Sequence, residues 1–225
     1  MITKLAFVHT SHVLIPLFSR LAKEILPELE TFHMTDESLI RNTIQARGLT
    51  RTTVRRLVAM IGSAHEGGAD AVMVTCSSIG AGVKVARELF DFPVLRVDEA
   101  MTEAAVNTGR RIGVAATLRT TLEPTIALIE DAAVTAGRQI EIVPSLCEGA
   151  FEAVLAGDTD RHDAMLSRSL AALRDQVDVV VLAQASMARV VAQLPAGGPP
   201  ILASPELAVR QARRTLIEDP VAAVR

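Results

Sequence analysis

Short apolar runs alternate with longer amphipathic ones along the whole chain. That is the pattern of strand–helix–strand units that build a parallel sheet covered by helices. Eight runs read as strands, at residues 5–9, 31–34, 71–75, 94–97, 111–116, 140–144, 177–182 and 200–203. Between the second and third, Val54, Leu57, Val58 and Ile61 recur at i, i+3, i+4 and i+7, and Gly67-Gly68 supplies a stop, so a core-facing helix is expected there. A second helix is expected to open at Thr121 and Pro124, to run through Ile126, Ile129 and Glu130, and to close at Gly137. Residues 35–50 have no clean period and carry Asp36, Glu37 and Gly48; a loop or a short irregular helix is expected.

The chain also looks internally doubled. Asp70-Ala-Val-Met-Val-Thr-Cys-Ser-Ser and Asp178-Val-Val-Val-Leu-Ala-Gln-Ala-Ser share one plan: an Asp, a buried strand, then a small polar turn entering a helix. Two similar halves follow from it. In open parallel sheets, ligands bind beyond the carboxyl ends of strands, where loops become helix N-termini. The chemistry should therefore sit at Cys76 and Gln184.

Composition narrows the ligand. Of 225 residues, 49% are hydrophobic and 22% charged, enough for a packed core and far from a disorder signature. The net charge of −3 gives no electrostatic reason to expect nucleic acid or an anionic membrane. Six Phe are the only aromatics, so no platform exists for stacking bases or sugars, and a small polar ligand is expected. No apolar stretch approaches the roughly 20 residues of a membrane span, and no basic, then apolar, leader opens the chain; a cytoplasmic protein, and a homo-oligomer, are expected. The two cysteines, Cys76 and Cys147, lie in no CxxC or His-rich context, so neither a disulfide framework nor a zinc site is indicated. With no Gly-x-Gly-x-x-Gly, no phosphate-binding loop and no nucleophile elbow, no cofactor or metal is expected, and nucleotide and serine-hydrolase chemistries are unsupported.

Four turns carry candidate chemistry. Cys76 ends an apolar strand and is followed by Ser77, Ser78 and Gly80. A thiol at a helix N-terminus is expected to have its thiolate stabilised by free N–H groups and the helix dipole, which lowers its pKa; a buried, inert cysteine is the bland alternative. After the first strand, His9-Thr10-Ser11-His12 offers hydroxyls and imidazoles for a carboxylate or for acid–base work. Thr10 or Ser11 can equally cap a helix beginning near Val13. Thr117-Leu118-Arg119-Thr120-Thr121 repeats the combination after the fifth strand, with Arg119 either a bidentate clamp or a solvated cation. In Cys147-Glu148-Gly149, the cysteine reads as structural and Glu148 as a possible extra acid.

Taken together, Val74-Thr-Cys-Ser-Ser-Ile-Gly, Arg111-Ile-Gly-Val-Ala-Ala-Thr, Val181-Leu-Ala-Gln-Ala-Ser-Met-Ala and Val94-Leu-Arg-Val-Asp-Glu-Ala resemble the aspartate/glutamate/hydantoin racemase superfamily, which also contains maleate isomerases and arylmalonate decarboxylases. The resemblance covers nearly the whole chain. It implies an α/β fold of two similar lobes, each a parallel sheet flanked by helices, with a cleft between them. The first lobe would hold residues 1–97 with 204–225, and the second residues 98–203. It implies proton transfer at the α-carbon of a small carboxylate or amino acid, without a cofactor. Its racemases carry one cysteine on each lobe; the first matches Cys76, and the second position is occupied here by Gln184. A carboxamide donates and accepts hydrogen bonds but shuttles no proton at neutral pH, so His9 or Glu148 would have to take the second role. Alternatively, the reaction uses one thiol, as in decarboxylation or cis–trans isomerisation. Thr10, Ser11, Ser77, Ser78, Thr117, Thr120 and Ser186 would bind the carboxylate. A non-catalytic sensor of small acids is the reading from another class.

Overall fold

The computed structural model describes residues 2–219. They divide into two compact units, one made of the residues up to Asp98 together with those from Pro205 onward, the other of Glu99–Ser204. In the first, β1 (Lys4–His9), β2 (Glu30–Thr35), β3 (Ala71–Val74) and β4 (Val94–Arg96) form a parallel sheet in the order β2-β1-β3-β4. In the second, β5 (Arg111–Ala116), β6 (Glu141–Leu146), β7 (Val179–Leu182) and β8 (Ile201–Ala203) repeat that order as β6-β5-β7-β8, again parallel. The helices are α1 (Ile15–Ile25), α2 (Glu37–Gln45), α3 (Arg51–Glu66), α4 (Gly82–Leu89), α5 (Glu99–Thr108), α6 (Arg119–Thr135), α7 (Ala150–Leu155), α8 (Thr159–Arg174) and α9 (Ser204–Arg213). Among the described residues no helix is long and apolar enough to cross a membrane.

Strand alternation decides which helix covers which face, because successive side chains point to opposite sides of a sheet. From β1, Leu5 and Phe7 pack with Phe18 and Leu21 of α1 and Val209 and Ala212 of α9. Ala6 and Val8, on the other face, pack with Leu57 and Ile61 of α3 and Val83 of α4. Both faces of the strand are buried, which is why it reads as an unbroken apolar run. In the second unit, Val180 and Leu182 of β7 pack against Leu166, Leu170 and Leu173 of α8.

The doubled Asp has a structural reason. Asp70 Oδ2 accepts from the N–H groups of Thr3 (2.7 Å) and Lys4 (3.0 Å), and Asp178 Oδ2 from those of Arg110 (2.8 Å) and Arg111 (2.7 Å). Each carboxylate satisfies the otherwise open N–H groups where the first strand of its unit begins.

Two expectations are corrected. Residues 35–50 contain a regular helix, α2, because Asp36 is its N-cap and accepts from Ser38 N–H at 2.9 Å; the acidic pair was a start signal rather than a sign of a loop. The helix expected from Thr121 and Pro124 begins earlier, at Arg119 after the extended Leu118, so Pro124 lies inside α6. Gly137 does end it, at a φ of +63° that glycine adopts without strain.

Candidate active site

The first unit brings Thr10 and Cys76 together at the carboxyl ends of β1 and β3. Backbone pairing between these strands ends at Val8 and Val74 and is extended by Thr75 N–H donating to Val8 O at 3.0 Å. Beyond that point the Thr10 hydroxyl and the N–H groups of Ser78 and Ile79 lie close enough to the Cys76 thiol to favour its thiolate, although the turn makes no capping bond to the side chain and Ile79 N–H donates to the Cys76 carbonyl at 3.3 Å. Cys76 has extended backbone angles (φ −132°, ψ 115°) and precedes a single 3₁₀ turn, Ser77–Ile79. Cys76 is partly exposed; Ser77 and Ser78 are buried.

These donors do not win. Burial pushes the Cys76 thiol above its ordinary range, the Asp98 carboxylate adds to the rise, and the hydroxyl and N–H donors only oppose it. The lowered thiol pKa expected from the sequence is therefore corrected. One 3₁₀ turn has too few aligned peptides to carry a helix macrodipole, and desolvation outweighs the local donors.

Beneath this turn lies a buried ion pair. Arg96, 3% exposed, donates through Nε to Asp98 Oδ1 (3.0 Å) and through Nη2 to Asp98 Oδ2 (2.9 Å), and Asp98 is fully buried. A Cβ on Gly80 would come within 2.7 Å of the Arg96 guanidinium, so the absent side chain is what lets the cation seat under the turn.

His9 is enclosed. It has no exposed surface, its Nδ1 lies 2.7 Å from Thr75 Oγ1, and its Nε2 lies 2.9 Å from His33 Nδ1. Burial first, then the charge of His33, lowers its pKa to about 4, so it is neutral across the neutral range with both nitrogens engaged. Ser11 is extended and precedes a short 3₁₀ turn, His12–Leu14, but its side chain makes no capping bond. The helix expected near Val13 starts at Ile15. His12 is exposed and lies 2.5 Å from Glu37 Oε1.

In the second unit the equivalent turns bring Thr117 to Gln184. Gln184 has nearly the backbone angles of Cys76 (φ −125°, ψ 133°). Its Oε1 accepts from both the N–H (2.7 Å) and the hydroxyl (3.0 Å) of Thr117. The carbonyl end is thus occupied, and Nε2 is a donor group. Thr120 Oγ1 is buried with no hydrogen-bond partner among the described residues. Ser186 is exposed. Arg119 is exposed and 3.7 Å from Glu123, a solvated cation. Cys147 is buried and its thiol is pushed up by burial; Glu148 is exposed. Among the described residues no three His, Cys, Asp or Glu side chains gather as metal ligands.

Thr75, His33, Arg96, Asp98 and Gly80 were not picked out from the sequence as site residues. Arg and Asp two apart at the end of an apolar strand were the available signal for the ion pair, since both then point to one side. The His9–Thr75 contact needs the strand register, which a single sequence does not give.

The fold is that of known racemases. The chain is similar to glutamate racemase from Francisella tularensis in complex with D-glutamate (TM-score 0.76, 14% identity, 99% of this chain and 84% of that one). It is also similar to allantoin racemase from Klebsiella pneumoniae (0.69, 15%, 99% and 90%) and to aspartate racemase from Picrophilus torridus (0.68, 12%, 95% and 94%). No curated protein matches the sequence. The profile of the Asp/Glu/Hydantoin racemase family matches residues 9–212; the chain belongs to that family.

Proposed function

We propose that the protein moves a proton at the α-carbon of a small carboxylate or amino acid, without a cofactor, and that Cys76 is the proton carrier. Membership of a racemase family supports an isomerase. The observation that carries the assignment to Cys76 is the setting of its sulfur, which has one hydroxyl and two N–H donors around it and a partly exposed side chain at the carboxyl end of β3. A thiolate there takes the α-proton, and the electron pair left on carbon spreads into the carboxylate as an enolate. Oriented donors stabilise that charge best when they need no rearrangement. Ser77, Ser78, Thr10 and Ser11 of the first unit supply them.

Because burial holds the thiol above its ordinary range, the resting group is the neutral thiol, and turnover should climb with pH through and beyond neutrality. Gln184 is a carboxamide and carries no proton at neutral pH. Return of a proton to the opposite face then falls to another group, so inversion should lag behind exchange.

The test is a panel of small carboxylates and amino acids incubated in D2O and followed by proton NMR. Loss of an α-proton signal with at least one of them is expected. Ligand-induced stabilisation without exchange in any of them would favour the non-catalytic sensor instead.

A further inference from the structure

Beyond Val8 and Val74, β1 and β3 are joined by two side-chain rungs in succession. The first is His9 to Thr75, and the second is Thr10 to Cys76. The proton positions of the first rung follow from counting donors. Thr75 has one hydroxyl proton and gives it to Val8 O at 3.1 Å, so its oxygen accepts from His9 Nδ1–H at 2.7 Å. His9 Nε2 is then bare and accepts from His33 Nδ1–H at 2.9 Å. His33 Nε2 in turn accepts from the Ser19 hydroxyl at 2.8 Å. Every member is neutral and satisfied, and the tautomers of both imidazoles are set by the one fixed donor at Thr75. Phe7 stacks on His33 at 5.3 Å between ring centroids, and Phe18 packs at 5.6 Å from His9.

The second unit offers a comparison built on the same register. Its strands β5 and β7 end their pairing at Ala115 and Leu182, extended by Ala183 N–H to Ala115 O at 2.9 Å. Thr117 and Gln184 make the outer rung there too, but the inner positions are Ala116 and Ala183. Gln184 already takes two bonds from Thr117, one of them to the backbone, and needs no further support. A thiol holds its hydroxyl partner weakly.

We propose that His9 and Thr75 are positioning residues for Cys76. Their hydrogen bond ties the ends of β1 and β3 so that the Thr10 hydroxyl stays beside the sulfur, and His33, itself bonded to Ser19, holds the far nitrogen of His9 in place. This rests on Cys76 being the proton carrier. His9 itself then exchanges no proton with a ligand.

The test uses alkylation of Cys76 by iodoacetamide as a function of pH, in a Cys147→Ala background so that one thiol reports. Thr75→Val removes the rung at nearly constant volume. Its alkylation profile should move up by about one pH unit, a roughly tenfold loss of rate at fixed pH below the midpoint. Thr75→Ser keeps the hydroxyl and should return the profile to within about 0.3 unit of the parent, on the same scale. A purely structural rung would lower the melting temperature of Thr75→Val and leave the profile in place, which would overturn the proposal. Should Thr75→Val fail to fold, His33→Phe serves. It removes the partner of His9 Nε2, loosens the His9 ring and should shift the profile the same way by a smaller amount; an unmoved profile overturns the proposal equally. Nitrogen-15 NMR of the parent protein should find His9 protonated on Nδ1, and protonation on Nε2 would contradict the tie. Alkylation needs no substrate, so these outcomes are separate from the D2O exchange result on which the proposed reaction depends.

Discussion

The two units repeat one topology and one register but differ where chemistry would occur. Six residues beyond each strand-opening Asp, the first unit has Cys76 and the second Gln184, each in extended backbone leading into a 3₁₀ turn and each paired with a threonine. Behind Cys76 stand a polar rung and a buried ion pair. Behind Gln184 the corresponding residues are Ala116 and Ala183, and opposite the end of β7 stands Ala203 where β4 has Arg96. A side chain that must change protonation needs its surroundings held by other groups, whereas an amide that only donates and accepts holds itself.

If that contrast is right, the largest effect belongs to Cys76→Ala. It should reduce α-proton exchange by about 10²–10⁴, the usual worth of a positioned base, while Cys147→Ala keeps most activity. The reverse pattern, measured by NMR in D2O, would move the chemistry to the other thiol. Next comes Arg96→Met, which leaves the fully buried Asp98 unpaired and should cost about 3–5 kcal/mol. Hydrogen exchange should find the loss in β3 and β4 and leave β5 and β7 protected.

Acid should separate the units as well. His9 takes a proton at about pH 4 when folded but at its ordinary 6.5 when unfolded. The unfolded state therefore binds more protons as pH falls. Stability is fully present above pH 6.5 and is lost between 6.5 and 4, by on the order of 3 kcal/mol, with His33 acting in the same direction. Amide exchange followed across that range should open the first unit before the second; the opposite order would contradict the account of the imidazole pair. The smallest effect is expected for Thr117→Val. Gln184 Oε1 keeps the Thr117 N–H, so about 1 kcal/mol should be lost in thermal unfolding, with the Cys76 alkylation profile unchanged.

Much of this was legible in the chain. The eight strands stood out because most are short apolar runs bounded by polar turns, and the repeated Asp located Cys76 and Gln184 at equivalent ends of β3 and β7. What was missed depends on neighbours distant in sequence. The capping role of Asp36 is hard to separate from loop composition in a single sequence, because an N-cap Asp and a loop Asp look alike and α2 has only nine residues, too few for its apolar positions to show a clear period. The sign of the Cys76 shift was wrong because a donor-rich turn can be read from Thr-Cys-Ser-Ser, but the desolvation that overrides it cannot. His9 looked like a free imidazole beside hydroxyls, and only the pairing of β1 with β2 and β3 puts His33 on one nitrogen and Thr75 on the other.

The most direct test of the division between a proton-carrying unit and an amide-bearing one is a single progress curve in D2O, with deuterium incorporation read by NMR and inversion by circular dichroism on the same sample. Starting from one enantiomer of a substrate found in the panel, exchange should run ahead of inversion in the native protein. Inversion keeping pace with exchange in the native protein would contradict the account, because a second proton carrier would then already be at work.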